Sequence, residues 1–181
     1  IKKMQEKEKQ LIIESLLFET PDPLTQKQVN LVFESDSPKI PETVEQLNKK
    51  YKKEEHSFYI RKIAGGYQFT NKPEYDIWIR RLLKKSGQLI LSRASLETMA
   101  IVAYKQPIGR YEIESIRGVD CTGVLKTLLT HNLIRIQGRD EGPGRPLLYG
   151  TTKIFLEKFG LDKISEIPKL REIAELSSAT E

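Results

Sequence analysis

The sequence is poor in the residues that build disulfides, metal sites and membrane spans. It has one cysteine and two histidines among 181 residues, so an internal disulfide and a multi-cysteine metal site are excluded. No apolar run approaches the ~20 residues that a helix needs to cross a bilayer. The charged first ten residues also lack the apolar region of a signal peptide. We therefore predict a cytoplasmic protein without membrane attachment, metal or cofactor.

The excess of positive charge is uneven along the chain, and the second half is nearly neutral. The net charge is +5 and the sequence pI is about 9.2. Up to Gln88 there are 17 Lys and Arg against 13 Asp and Glu, and from Leu89 onward there are 13 against 12. A dedicated DNA-binding domain gathers positive charge on one face. The composition therefore predicts weak or indirect contact with DNA at most.

The first half of the chain predicts three helices, a hairpin and a fourth helix, which is the order of a winged helix. Thr25 and Gln28 have the spacing of a capping box, and Pro41 suits the first turn of the third helix. Gly65 and Gly66 are predicted to form the hairpin turn. The fourth helix has the apolar spacing of a face that packs on a core. Its apolar residues are Tyr75, Trp78, Ile79, Leu82 and Leu83.

The same order recurs in the second half. Ser92 is a predicted N-cap, and Pro107 ends that helix. Gly109 begins the next helix, Gly118 ends it in a left-handed conformation, and Asp120 is predicted to cap the third. The stripe expected to face the core is Leu96, Met99, Ala100 and Ala103. The predicted fold class is α+β, mainly helical, with two tandem winged-helix domains (1–87 and 91–161) and a flexible C-terminal tail (162–181).

No set of residues has the pattern of a catalytic site. Cys121 lies at a predicted helix N-terminus, where a thiol pKa is lowered in principle, but no histidine is close in sequence. His56 and His131 each lack a second histidine at metal-ligand spacing. The segment 142–146, GPGRP, lacks the ending of a phosphate-binding loop and is predicted to be the tip of a wing. We predict that the chain is not an enzyme, and an enzyme that uses Cys121 is the alternative.

The helices that read DNA in other winged helices carry few suitable side chains here. The N-terminal part of the third helix contacts base edges in such proteins. In the first domain it has Glu42 and Glu45, whose carboxylates repel phosphate, and in the second it offers only Lys126 and His131. A DNA-binding tandem winged-helix transcription regulator is the alternative hypothesis, and it predicts steeply salt-dependent affinity for duplex DNA.

Several blocks between Leu91 and Leu161 resemble one protein family. They include LET at 96–98, IVAYKQPI at 101–108, IRGV at 116–119, GRPLLYGTT at 144–152 and FGL at 159–161. Occurring in this order, they resemble segregation and condensation protein B, the small non-enzymatic subunit of bacterial condensin. The first domain is similar in layout and length only. Departures from the family pattern fall at Gly109, Cys121, His131 and Asn132.

The resemblance implies an adaptor subunit that supports chromosome condensation and segregation. It implies self-association through the first domain, as a homodimer, and binding to the kleisin subunit. The kleisin bridges the heads of a structural-maintenance-of-chromosomes (SMC) ATPase.

For kleisin we predict a site around the turn before the second helix of the second domain, where aromatic and cationic groups suit an interface. Core packing is the alternative role for Ile108, a solvated turn is the alternative for Arg110, and Arg145 either anchors the wing or meets a partner. The candidate partner-binding residues are Ile108, Arg110, Tyr111, Arg117 and Arg145. The candidate self-association residues, on the first helix, are Leu11, Ile12 and Leu16.

Overall fold

A computed structural model describes residues 4–83 and 91–169. The chain divides into two compact units, residues 1–88 and 89–181, and each unit has the element order of a winged helix. The predicted α+β fold class is confirmed. The predicted end of the first domain at residue 87 and the part of the predicted tail beyond residue 169 lie outside the described residues.

In the first unit three helices precede a two-stranded wing and a closing helix. The elements are α1 (Glu6–Glu19), α2 (Gln26–Phe33), α3 (Ile40–Lys53), β1 (Phe58–Ile63), β2 (Gly66–Asn71) and α4 (Asp76–Leu83), with a 3-10 turn (Pro73–Tyr75) before α4. The predicted capping box is present, since the Gln28 side chain accepts a hydrogen bond from the Thr25 amide at 2.8 Å. An isolated bridge between Leu24 and Tyr67 joins the segment before α2 to the wing.

The turn of the first wing differs by one residue from the prediction. It consists of Ala64 and Gly65, with φ of 49° and 79°, because Gly66 already belongs to β2. Positive φ at both central residues is the requirement of a type I′ hairpin turn. Gly66 is needed for another reason, since a Cβ there would lie 2.7 Å from the carbonyl oxygen of Pro23.

The core of the first unit lies between its helices and the wing. Ile13, Ile40 and Ile60, from three different elements, are at most 2% exposed. Tyr51 closes one edge of this core, and its ring centroid lies 5.1 Å from that of Phe58. Burying each large aliphatic side chain contributes about 1.5–3 kcal/mol, so these contacts fix how α1 and α3 pack on the sheet.

The closing helix α4 departs from the prediction of core packing. None of its eight residues is buried, and Trp78 and Leu82 are 63% and 78% exposed. The guanidinium of Arg81 lies over the Trp78 ring, 4.9 Å from its centroid. Apolar periodicity shows that one helix face is apolar, but not what covers that face. The prediction that this stripe packs on its own core is therefore wrong.

In the second unit a three-stranded sheet replaces the simple hairpin. The elements are α5 (Arg93–Lys105), β3 (Ile108–Gly109), α6 (Arg110–Arg117), α7 (Thr122–Thr130), β4 (Ile134–Arg139), β5 (Leu147–Thr151) and α8 (Lys153–Phe159), followed by a 3-10 turn (Ile164–Glu166). The strand order is β3-β5-β4 and both pairings are antiparallel. The register of β4 on β5 shifts between Ile136 and Gly138.

The caps predicted at Ser92 and Gly118 in the second unit are confirmed, whereas the N-cap of α7 is Cys121 and not the predicted Asp120. Ser92 Oγ accepts from the Ser95 amide at 3.1 Å, and Gly118 ends α6 with φ of 72°. Asp120 contributes from just before the N-cap, where Oδ1 accepts from the Thr122 amide at 3.2 Å.

The stripe predicted to face the core from α5 is only half right. Met99 and Ala103 are buried, whereas Leu96 is 45% exposed and Ala100 is exposed. The face of α5 that enters the core is rotated, since Val102 and Thr98 are fully buried. The sequence prediction missed Thr98 and Val102, because the spacing of apolar residues does not show which side of a helix meets the core.

The first residues of the predicted tail contact the second unit. Ile167 packs against its core, and the Tyr104 hydroxyl donates to the Pro168 carbonyl oxygen at 2.6 Å. These contacts place residues 164–168 beside the outer face of α5.

Candidate partner-binding surfaces

The start of α6 presents two of the predicted partner-binding residues. Gly109 is the N-cap, and Glu112 Oε2 accepts from the Gly109 amide at 3.1 Å. Because glycine has no side chain, only this half of a capping box exists here. The bond fixes the first turn of α6, so Arg110 and Tyr111 leave the helix in defined directions.

Arg110 is held by contacts on both sides. Its Nη1 donates to Thr122 Oγ1 at 3.1 Å, and its Nε lies 3.6 Å from Glu114 Oε1. Its guanidinium also lies 5.2 Å from the centroid of the Tyr111 ring. The hydrogen bond with Tyr111 and then the charge of Glu114 raise the pKa of Arg110 above its ordinary value. Arg110 is therefore a fixed positive charge beside a ring that is 68% exposed.

Ile108 is a core residue. It is 2% exposed and pairs with Tyr149 in the sheet. A partner cannot reach this side chain without opening the core, so its predicted place among partner-binding residues is wrong and the core-packing alternative is correct. The missing signal was the pairing of β3 with a strand some 40 residues later, which no local pattern contains.

The second wing brings Arg145 to the same side as Arg110. Arg145 has φ of 43°, and its carbonyl oxygen accepts from Arg139 Nη1 at 3.2 Å. A cleft of about 420 Å³ separates the wing from α6. Its lining includes Arg110, Tyr111, Arg139, Arg145, Leu147 and Tyr149. Three of the five predicted residues thus share one cleft, which we call the arginine cleft.

Arg117 lies elsewhere and makes internal contacts. Its side chain is 10% exposed, and its two terminal nitrogens lie 3.4 Å from Glu97 Oε2 and from Cys121 Sγ. Cys121 first, and Glu97 after it, raise the pKa of Arg117. This residue joins α5, α6 and α7, so a direct role in partner binding is not supported.

Cys121 is inaccessible to a substrate. It is fully buried, and its thiol donates to the Val119 carbonyl oxygen at 3.3 Å. A nucleophile must reach its target, so the burial argues against the alternative of a Cys121-dependent enzyme. Among residues 4–83 and 91–169, no group of three His, Cys, Asp or Glu could hold a metal ion.

Acidic groups accompany both helices that correspond to DNA-reading helices. On α3, Glu45 pairs with Lys49 at 2.6 Å and Glu42 with Lys39 at 3.3 Å. The hydrogen bond from the Lys49 ammonium and then its charge lower the pKa of Glu45. Before α7, hydrogen bonds from Thr122 lower the pKa of Asp120 in the same way. Both helices therefore present carboxylates where a DNA phosphate would approach.

The predicted self-association residues on α1 are less available than the face of α4. Leu11 is 51% exposed, whereas Ile12 and Leu16 are partly buried against the core. The exposed large side chains of the closing segment are Tyr75, Ile77, Trp78, Leu82 and Leu83. We call this set the α4 face. Its apolar spacing was visible in the sequence, but its exposure was not.

A second apolar surface lies on the second unit. A groove of about 320 Å³ runs between α5 and α8 and is closed by the segment around Pro168. Leu96 and Phe159 on its walls are 45% and 46% exposed. The groove is lined mainly by Leu96, Ala100, Tyr104, Phe155, Phe159 and Pro168. We call it the α5–α8 groove.

Comparison with known sequences decides the family. The family described as segregation and condensation complex subunit ScpB matches residues 11–170. The chain belongs to the ScpB family. The match includes the first unit, where the sequence alone indicated similarity only in layout. The predicted family is confirmed, and ScpB proteins are non-catalytic subunits, which supports the prediction that the chain is not an enzyme.

Individual ScpB relatives are similar over most of their length. Segregation and condensation protein B of Syntrophotalea carbinolica is 44% identical over 170 residues, which are 94% of this chain and 86% of that protein. The protein of the same name from Clostridium tetani is 42% identical over 164 residues, 91% of this chain and 87% of that one. The crystal structure of ScpB from Mycobacterium tuberculosis is 27% identical, with 88% and 99% of the two chains covered and a TM-score of 0.41.

The helices of the described segments are also too short or too polar to cross a membrane. None combines the length and the hydropathy that a span requires.

Proposed function

We propose that the chain is a non-enzymatic adaptor of a bacterial SMC–kleisin complex. Two copies pair through their first units, and the second units hold the kleisin between the SMC heads, in the cytoplasm at the nucleoid. The observation that carries the proposal is the ScpB match across both units. The adaptor thereby supports chromosome condensation and segregation without any chemistry of its own.

The α4 face is the surface we assign to pairing. It carries Trp78, Leu82 and Ile77, all more than half exposed, and tryptophan is among the residues that most often dominate interface energies. Monomeric proteins rarely leave such a cluster in contact with water. A second copy covers it in our proposal, and this replaces the surface of α1 that we predicted from the sequence.

Sedimentation of three proteins tests this assignment. We expect the wild-type chain to sediment as a dimer and Trp78→Asp/Leu82→Asp as a monomer, because burying unpaired carboxylates weakens association by on the order of 100-fold or more. The matched control is Leu31→Asp/Val32→Asp, which alters two apolar residues of α2 that are 71% and 54% exposed.

The control is expected to remain a dimer. A dimeric α4 variant would refute the assignment to α4. If Leu11→Asp alone then gave a monomer, the pairing surface would return to α1.

The α5–α8 groove is the surface we assign to the main contact with kleisin. Its exposed walls, Leu96 and Phe159, are apolar, and Tyr104 supplies an aromatic side chain with a polar tip. An amphipathic helix fits such a groove with side chains at i, i+3 and i+4. This surface adds to the predicted site around Arg110, which lies on another part of the same unit.

Direct DNA contact is secondary in this proposal. The carboxylates of Glu42, Glu45 and Asp120 stand where a reading helix would meet phosphate, and the cations around the second wing are few. We therefore expect affinity for duplex DNA to be weak and lost as the salt concentration rises.

A further inference from the structure

The arginine cleft carries a net positive charge. Arg139 and Arg145 are exposed at its rim, and Arg110 stands on the α6 side. No Asp or Glu is among the described residues that line it. Glu114 lies 3.6 Å from Arg110 and neutralises part of one charge, so the two wing arginines supply most of the field.

The wing holds these arginines in fixed positions. Arg139 Nη1 donates to the Arg145 carbonyl oxygen at 3.2 Å, and the Asp140 amide donates to the Pro146 carbonyl oxygen at 2.9 Å. Arg145 keeps φ of 43° directly after Gly144, whose φ is 77°. A non-glycine residue with positive φ stores strain of order 1 kcal/mol, and such strain is common at binding sites. The cleft is therefore organised before a ligand arrives.

The walls between the charges suit a polypeptide. Leu147 and Tyr149 form an apolar floor, and Tyr111, which is 68% exposed, forms one edge. Guanidinium groups bind carboxylates through two parallel hydrogen bonds. An extended segment with acidic side chains and an apolar side chain between them matches both features.

We infer that the arginine cleft binds an acidic, extended segment of the protein partner. The inference rests on the proposed function, because it names the chemistry of a second kleisin contact besides the α5–α8 groove. A duplex is less suitable, since the cations form one cleft of about 420 Å³ rather than an extended positive face. The cleft gives the complex its salt dependence, and the groove gives it the salt-independent part of the affinity.

The test is calorimetric titration of the full chain with full-length kleisin from the same organism, at low and at physiological ionic strength. The cleft variant is Arg139→Ala/Arg145→Gly, in which glycine relieves the positive φ while the guanidinium is lost. The control, Lys126→Ala/Lys153→Ala, removes the same charge from exposed positions outside the cleft. Thermal unfolding followed by circular dichroism verifies that both variants fold.

We expect the cleft variant to bind at least about tenfold more weakly, with a flatter salt dependence, and the control to stay within about twofold of wild type. Arg139→Lys/Arg145→Lys is expected to lie between them, because lysine keeps the charge but not the paired hydrogen bonds. Equal kleisin affinity of the wild type and the cleft variant would overturn this inference and leave the proposed function standing. So would loss of duplex DNA binding with unchanged kleisin affinity. Absence of kleisin binding by the wild-type chain would overturn the proposed function as well.

Discussion

The closing helices α4 and α8 hold the same place in their winged helices, and they pack in opposite ways. α8 is capped by Thr152, whose hydroxyl accepts from the Phe155 amide at 3.1 Å, and Phe155 is 4% exposed. No residue of α4 is buried, and Trp78 is 63% exposed. Equal position in a repeat therefore does not imply equal packing. The helix that its own unit leaves uncovered is the one available to a second copy.

The wings show a related difference. The first wing is closed by a two-residue turn, and Gly66 is pressed against Pro23. The second wing has a register shift near Gly138 and a loop of seven residues before Leu147. The tight wing serves the fold of its unit, whereas the longer wing reaches out to complete the arginine cleft.

The largest expected effect is a difference in unfolding free energy between variants of the two closing helices. Phe155→Ala should destabilise the second unit by about 3–5 kcal/mol, because it leaves a cavity in a packed core. Trp78→Ala should change the unfolding free energy of the first unit by less than about 0.5 kcal/mol when the chain is monomeric. Urea unfolding at low protein concentration measures both. Similar losses in the two variants would mean that α4 packs on its own unit.

A smaller effect on stability is expected at two glycines, one in close contact with backbone and one facing open space. Gly66→Ala should lower the free energy of unfolding by about 1–3 kcal/mol, since the new Cβ meets backbone atoms of Pro23 at 2.7–2.8 Å. Gly123→Ala is the control, because a Cβ at this position in α7 meets open space. Alanine stabilises a helix relative to glycine by up to about 1 kcal/mol. Thermal unfolding should move in opposite directions for the two variants. A shift of the same sign in both would contradict the close approach of β2 to Pro23.

The smallest effect is a pH dependence confined to the first unit. Burial and then the hydrogen bond to Glu14, 2.6 Å long, raise the pKa of Tyr51 above its ordinary value. The folded state therefore keeps this proton after the unfolded state has lost it, so its stabilising contribution is full below about pH 10 and falls above it. Tyr51→Phe should cost about 1 kcal/mol at neutral pH and lose less stability than wild type above about pH 10.

Urea unfolding at about pH 8 and about pH 10.5 checks this difference, since the remaining tyrosines titrate in both proteins. Equal losses in wild type and variant would show that Tyr51 ionises as freely in the fold as outside it.

The helix boundaries could be predicted from the sequence because their signals are local. The Thr25 box, the Ser92 cap and the Gly118 terminus each depend on bonds within about one turn of helix. The roles of Ile108 and Trp78 could not be predicted in this way. One depends on pairing with a distant strand, and the other on whether any core lies opposite an apolar face.

The residues of the arginine cleft were predicted only in part, because some of its features are local in sequence and others depend on strand pairing. Arg110 and Tyr111 are neighbours in sequence, and Arg145 lies in the segment 142–146 that is predicted to be the tip of a wing. That all three line one cleft depends on how β5 pairs with β3, which sequence spacing does not contain. Arg117 is an arginine that the sequence does not distinguish from Arg145, but its side chain contacts Cys121 and Glu97 within its own unit.

One measurement tests the proposed pairing and the proposed binding to kleisin together. Light scattering of the purified chain mixed with full-length kleisin from its organism measures the mass of the product directly. We expect a stable complex that contains two copies of this chain. The absence of a complex, together with tight and salt-sensitive binding to duplex DNA, would contradict it and favour a transcription regulator.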